Sequence, residues 1–168
     1  LRVHLHGRSH CPPREGTRLI WVDADACPVR ADAEAVATRR KVKMVLVCNG
    51  GIRPSQTPLV DTRYVGDALD AADDLIATSA GPGDVVVTDD LPLADRALVA
   101  GAHVIRMNGE ELTTRNIAPR LAARNAADIA RGGGLATMEG GGGKPFTKRD
   151  RATFSQVLDR VLTQLERA

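Results

Sequence analysis

Apolar positions along this chain fall into short runs that alternate with stretches of helical period. The runs at 19–23, 42–48, 59–65, 84–88 and 103–107 have the length of strands, and most are rich in Val, Ile and Leu. Between them, residues 28–40 open at Pro28 and place Val29, Ala33, Val36 and Ala37 on one helical stripe. Residues 67–79 place Leu69, Ala72, Leu75 and Ile76 on another, and 92–100 run from Pro92 to the residue before Gly101. Asn49-Gly50-Gly51 and Arg53-Pro54 mark a loop after the second strand. Strands alternating with helices predict an α/β fold with a mostly parallel central sheet flanked by helices.

Further along, 114–131 reads as one or two helices around Pro119. Glycines at 132–134 and 140–143 then break the pattern and predict a flexible linker or lid, the Gly-rich loop 132–143. Helical period resumes after Thr147-Lys148-Arg149-Asp150, which has the form of a capping box. Phe154, Val157, Leu158, Val161, Leu162 and Leu165 make one wide apolar face. A C-terminal helix is therefore expected to dock on the body or on another subunit, so a homodimer is one option. Residues 1–18 carry three of the four His, several Arg and Pro12-Pro13. They read as an N-terminal extension outside the fold, which leaves 19–168 as a single domain.

The 168 residues suffice for one domain with a substantial core. Aromatic residues make up only 2%, so Ala, Val, Leu and Ile must fill that core, and base-stacking platforms are not expected. A net charge of +2, from 23 basic and 21 acidic residues, excludes a grip on nucleic acid by global charge. Three Cys make no disulfide framework, and no apolar run is long enough to span a membrane. A reducing cytoplasm is the expected location.

Acids stand at the ends of two of the runs. Leu19-Ile20-Trp21-Val22 leads into Asp23-Ala24-Asp25-Ala26-Cys27-Pro28, and Val85-Val86-Val87-Thr88 into Asp89-Asp90-Leu91-Pro92. Ligands of open parallel sheets bind outside the carboxyl ends of the strands, so these acids are expected to share a crevice. Like charges there repel unless a proton or a cation separates them. Oxygen-only ligands suit a hard cation, Mg²⁺ or Mn²⁺. Asp23 and Asp25 can converge because alternate strand residues point the same way; the competing role for Asp25 is to cap the Pro28 helix. Asp89 and Asp90 cannot both point into one pocket, so one of them is expected to be a cap or solvated. Asp67 precedes a group, Asp70, Asp73 and Asp74, that would share one helix face. That face is either solvated or next to something positive. Asp73 borders the apolar stripe of Ala72 and Ile76, which raises the functional claim of Asp70 and Asp73.

The segments Trp21–Pro28, Asp70-Ala71-Ala72-Asp73 and Thr88-Asp89-Asp90-Leu91-Pro92-Leu93-Ala94 resemble the YaiI/YqxD family, also called domain of unknown function 188. That bacterial group is placed with the PIN-like nucleases. The resemblance continues through Val47-Cys48-Asn49, Asn108-Gly109-Glu110 and Arg149-Asp150-Arg151 with Phe154, and covers residues 19–168. It implies a three-layer PIN-like domain whose acids hold Mg²⁺ or Mn²⁺ and cut RNA, or sometimes DNA. The family's first acid falls on Asp23, and the following, often polar, position on Asp25. The helix acids fall on Asp70 or Asp73, and the Thr-x-Asp acid on Asp90, with Thr88 as its accompanying hydroxyl. Asp89 sits where the pattern is open. Asp23, Asp25, Asp73 and Asp90 thus stand as candidate catalytic residues and, together with Asp70, as candidate metal ligands. Thr88, Asn49, Lys148 and Arg149 stand as candidate substrate contacts, with Arg151 joining Lys148 and Arg149 at a phosphate backbone and a plain solvated helix start as the alternative.

A metal-dependent nuclease acting on RNA is the leading expectation. A haloacid-dehalogenase-like phosphatase would use Asp23 as nucleophile and Asp25 as acid, but Cys27-Pro28 stands where such enzymes want a Thr. The third reading is a non-catalytic nucleic-acid-binding or regulatory protein. Cys27 lies at a predicted helix start, which lowers a thiol pKa, while neighbouring acids oppose this. Arg39-Arg40-Lys41 and Lys43 read as the basic end of a helix. His4, His6, His10 and Cys11 resemble a metal cluster only in composition. Gly140 to Lys144 fails as a phosphate loop, because Pro145 follows and no strand precedes.

Overall fold

A computed structural model describes residues 16–130 and 145–168. The first apolar run forms β1 (Leu19–Asp23), whose side chains alternate between two cores: Ile20 and Val22 enter one, Trp21 the other. There follow α1 (Arg30–Arg40), β2 (Lys43–Cys48), β3 (Val60–Tyr64), α2 (Ala71–Ser79), β4 (Val85–Val87) and α3 (Leu91–Val99). The chain continues through β5 (His103–Ile105), β6 (Glu111–Leu112), α4 (Ile117–Ala130) and α5 (Lys148–Arg167). The strands make one sheet in the order β3-β2-β1-β4-β5-β6, parallel throughout except for the antiparallel β5–β6 pair. This is the expected mixed α/β architecture with a mostly parallel sheet. From β1 the chain builds outward to β2 and β3, then returns past β1 to β4. That reversal makes β1 and β4 neighbours whose onward helices lie on opposite faces, the place where an open parallel sheet forms a crevice.

On one face, Ala33, Val36 and Ala37 of α1 pack with Phe154, Leu158, Val161 and Leu162 of α5 over Ile20, Val22, Val85 and Val87. On the other, Ile76 of α2, Leu93 and Ala97 of α3 and Ile117 of α4 cover Trp21, Val45, Val86 and Val104. The C-terminal helix therefore docks on its own chain. Its start is fixed as the sequence predicts: Asp150 N donates to Thr147 Oγ1 at 3.2 Å, and Thr147 N to Asp150 Oδ2 at 2.9 Å. The basic end of α1 grips the same helix, since Arg39 and Arg40 reach Asp159 at 3.0 and 2.6 Å.

The departures from expectation have local causes. Helix α1 begins at Arg30 rather than Pro28, with Val29 at its N-cap and no side-chain cap. Helix α2 begins at Ala71 rather than at 67, because Asp70 takes a left-handed conformation (φ 62°). Leu69, counted in its apolar stripe, is thus 90% exposed ahead of the helix. Residues 114–131 yield one helix, with Pro119 in its first turn, where no backbone N–H is needed. The last parallel strand stops at Ile105 because Arg106 opens a bend, Arg106 N donating to Glu110 O at 2.8 Å, that returns as the unforeseen β6.

Residues 1–15, with His4, His6, His10 and Cys11, and residues 131–144, with the Gly-rich loop 132–143, lie outside the described residues. Among the described residues no helix is long and apolar enough to cross a membrane.

Candidate functional site

The β1–β4 register pairs Val22 with Val87, so the next positions along are Asp23 and Thr88. Trp21 and Val86 face the α2–α3 side, and two residues further along Asp23 and Thr88 project to that side as well. Thr88 Oγ1 donates to Asp23 Oδ2 at 3.2 Å and accepts from Asp90 N at 3.0 Å. This hydroxyl is fully buried. It ties the end of β1 to the start of α3. Asp90 is the N-cap of α3, its Oδ1 accepting from Leu93 N at 2.9 Å. Asp73 comes from the first turn of α2 on the same face of the sheet.

Asp25 caps no helix. The ladder runs on past β1, with Ala24 N donating to Val47 O at 2.9 Å, and Asp25 Oδ2 accepts from Asn49 N at 3.1 Å. Asp23 pairs with Val47 in register, so two residues on from each strand Asp25 and Asn49 meet. Asn49 enters this arrangement through its backbone. Asp89, the other acid after β4, turns away: its Oδ1 accepts from Met107 N at 3.0 Å and lies 3.5 Å from Arg106 Nε.

Burial pushes the Asp23 carboxyl up to about 6, and the charge of Asp73 adds to this. The hydrogen bond from Thr88 opposes the rise, while Asp25 and Asp90 reinforce it. Asp73 is also pushed up to about 6, by burial first, then by Asp90 and Asp70, against the pull of Arg96. Four of the five candidate ligands, Asp23, Asp25, Asp73 and Asp90, therefore share one electrostatic neighbourhood. Asp70 is exposed at the head of α2 and acts on Asp73. Asp74, its neighbour in sequence, is held outward by Arg96 at 2.8 Å. Lys148 and Arg149 lie exposed in the first turn of α5, in the layer on the opposite face.

The donor type fits a hard divalent cation, since every group is a carboxylate or hydroxyl oxygen. The spacing is wider than a ligand set: among the described residues, no three His, Cys, Asp or Glu side chains gather closely enough to hold a metal ion. Cys27 is no nucleophile at neutral pH, because burial and the nearby Asp23 and Asp89 push its thiol up to about 11. Cys48 is buried, and its thiol is pushed up as well. A cavity of about 360 Å³ opens beside Lys43, Val45, Asp61 and Arg63 and holds none of the five candidate ligands.

Residues 21–164 match the model of a family described as "Uncharacterized BCR, YaiI/YqxD family". The chain belongs to this family. Among its relatives are UPF0178 proteins of Ruegeria pomeroyi, 53% identical over 88% of this chain and 96% of that protein, and of Bradyrhizobium diazoefficiens, 46% identical over 88% and 87%. A further UPF0178 protein, of Cereibacter sphaeroides, is 49% identical over 89% of this chain and 91% of its own. No solved structure matches the chain. The matched span takes in every strand end that carries an acid, so the crevice belongs to the family domain. Sequence reasoning missed two partners of this site, the amide of Asn49 on Asp25 and Arg106 beside Asp89. The first follows once β1 and β2 are known to be in register. The second had no local signal.

Proposed function

We propose that this protein is a divalent-cation-dependent phosphodiesterase, a PIN-like nuclease acting on RNA. The observation that supports this reading is a partly buried Asp23 at the reversal point of the sheet, its carboxyl raised to about 6 by burial and by other carboxylates. Such a group is poised to exchange its proton for a cation. Asp23, Asp73 and Asp90, with Asp25, would hold the Mg²⁺ or Mn²⁺ only by drawing closer together than they stand here. A cation bound there would supply charge neutralisation at the phosphate and would acidify a water molecule. The remaining work falls to the chain. Thr88 orients Asp23 by its hydrogen bond, and the cap to Leu93 N fixes the position of Asp90. Asp73, ionised only above about 6, carries a proton below that value. Free Cys27 and Cys48 suit a reducing compartment, so we place the protein in the cytoplasm.

The test is incubation of a mixed pool of single-stranded and structured RNA with millimolar Mn²⁺. Cleavage by the parent and its loss in Asp90→Asn supports the reading. Asn caps helices as well as Asp does, so unchanged melting separates lost chemistry from lost fold. Millimolar Mn²⁺ is also expected to raise the parent Tm, because the ion binds only the folded state. An inert parent whose melting ignores Mn²⁺ removes the proposal.

A further inference from the structure

The start of α5 carries a second group of side chains, outside the acid cluster. Of the two Phe in the chain, Phe154 is fully buried, whereas Phe146 keeps 37% of its surface exposed. The Arg151 guanidinium lies over the Phe146 ring, 5.6 Å from its centroid, and is steadied by Asp32 at 3.1 Å. Lys148 and Arg149 stand exposed beside them, and among the described residues no carboxylate pairs with either. The capping box takes up the Thr147 and Asp150 amides and sets the Asp150 carboxylate at this helix end. What remains is side-chain charge and one aromatic surface.

The position of this group is set by two contacts. The Arg151–Asp32 pair puts it beside the start of α1, the helix that follows β1. Next to it Gly109 packs so tightly that a Cβ there would stand 2.7 Å from Thr153 Cγ2 and 2.8 Å from Phe154 N. The next turn of α5 therefore touches the β5–β6 bend, whose Met107 N is held by Asp89. Both contacts lie at the carboxyl end of the sheet, the end that carries Asp23 and Asp90.

We infer that Phe146, Lys148, Arg149 and Arg151 form a docking patch for single-stranded nucleic acid, with a base on the Phe146–Arg151 stack and phosphates on Lys148 and Arg149. The inference rests on the phosphodiesterase reading for its choice of polyanion. An acidic crevice repels such a substrate, so its affinity must come from cations outside the crevice. A ring beside these cations selects unpaired bases, since a duplex hides base faces within its stack. The low aromatic content argued against stacking platforms in general; the placement of a single ring matters more here than the count.

The experiment measures fluorescence anisotropy of a labelled 12-nucleotide RNA, roughly the footprint of one small domain, single-stranded or annealed to its complement, in chelator at several salt concentrations. The parent is expected to bind the single strand more tightly than the duplex. Phe146→Ala should weaken this about tenfold, and Phe146→Tyr should restore it. Reversing both Lys148 and Arg149 to Glu should remove binding at moderate salt, and replacing both by Ala should lower the salt slope by roughly two phosphates' worth. Arg124→Glu, on the opposite face of the sheet, serves as the charge control and should change little. No binding by the parent at low salt, equal binding of the duplex, or binding untouched by the patch variants overturns the inference. Because chelator prevents turnover, the two readings fail separately. A protein that binds through the patch yet never cuts RNA keeps the patch and loses the proposed function. One that cuts RNA regardless of the patch variants does the reverse.

Discussion

Asp23 has a folded-state pKa of about 6 against an ordinary 3.8, so between these values the folded protein binds its proton more tightly than the unfolded chain does. Stability therefore falls as pH rises through that window, and the full penalty is present above it. Asp23→Asn removes the charge while its amide oxygen still accepts from Thr88. Without divalent cation this variant is expected to melt about 2–4 °C above the parent at pH 7.5, equivalent to about 1 kcal/mol. The gain should vanish near pH 4, which paired thermal melts will show. A lower Tm at pH 7.5 would mean that the Asp23 charge is compensated in the fold. Aspartate at a strand end was plain in the sequence. Which aspartate would be raised was not, because that depends on the burial and charges that α2 and α3 bring to the end of β1.

At the scale of elements, α5 is held by charge along one side and by close backbone contact at its start. Hydrogen bonds from Arg40 and Arg39 hold the Asp159 carboxyl down at about 2. A depressed carboxyl stabilises the fold above its ordinary value, 3.8, and the gain is lost as pH falls through about 2. Asp159→Asn is therefore expected to lower Tm modestly at pH 7, with the difference closing toward pH 2 and shrinking in high salt. Melts at three pH values decide this; a difference independent of pH would point to lost packing instead. Gly109 is a sharper constraint: its φ is 90°, and an added Cβ would meet the backbone of Thr153 and Phe154. Gly109→Ala is expected to destabilise by about 2–4 kcal/mol in urea titrations. The capping box and apolar face of α5 were legible in the sequence because both are local patterns. The short β6 and the late start of α2 were not: one exists only by pairing with β5, the other turns on a single left-handed residue, Asp70.

In the whole molecule, β1 and β4 are joined at both ends. At the end away from the acids, the buried Asp84 accepts from Leu19 N at 3.0 Å, Trp21 Nε1 at 3.2 Å and Gly81 N at 3.1 Å. Asp84→Ala would leave three donors without their acceptor, two of them on β1, and is expected to cost about 2–4 kcal/mol. Trp21 reports this directly, being the one Trp of the chain and only 2% exposed. Its fluorescence should shift to the red at a lower urea concentration in the variant. An unchanged midpoint would show that the sheet does not depend on this junction.

The sequence by itself determined the five parallel strands, the presence of the helices, the cap of α5 and the acids after β1 and β4. Those properties follow from period, proline and capping chemistry within a few residues. Only the tertiary structure decided that β1 and β4 are neighbours, that Asp90 caps α3 while Asp89 serves the β5–β6 bend, and that Asp70 stands at the edge of the acid cluster. Asp23 and Thr88 meet across 65 positions of sequence. Their meeting depends on strand order and register, which are set by how two whole faces of the sheet are covered and cannot be read from either segment in isolation.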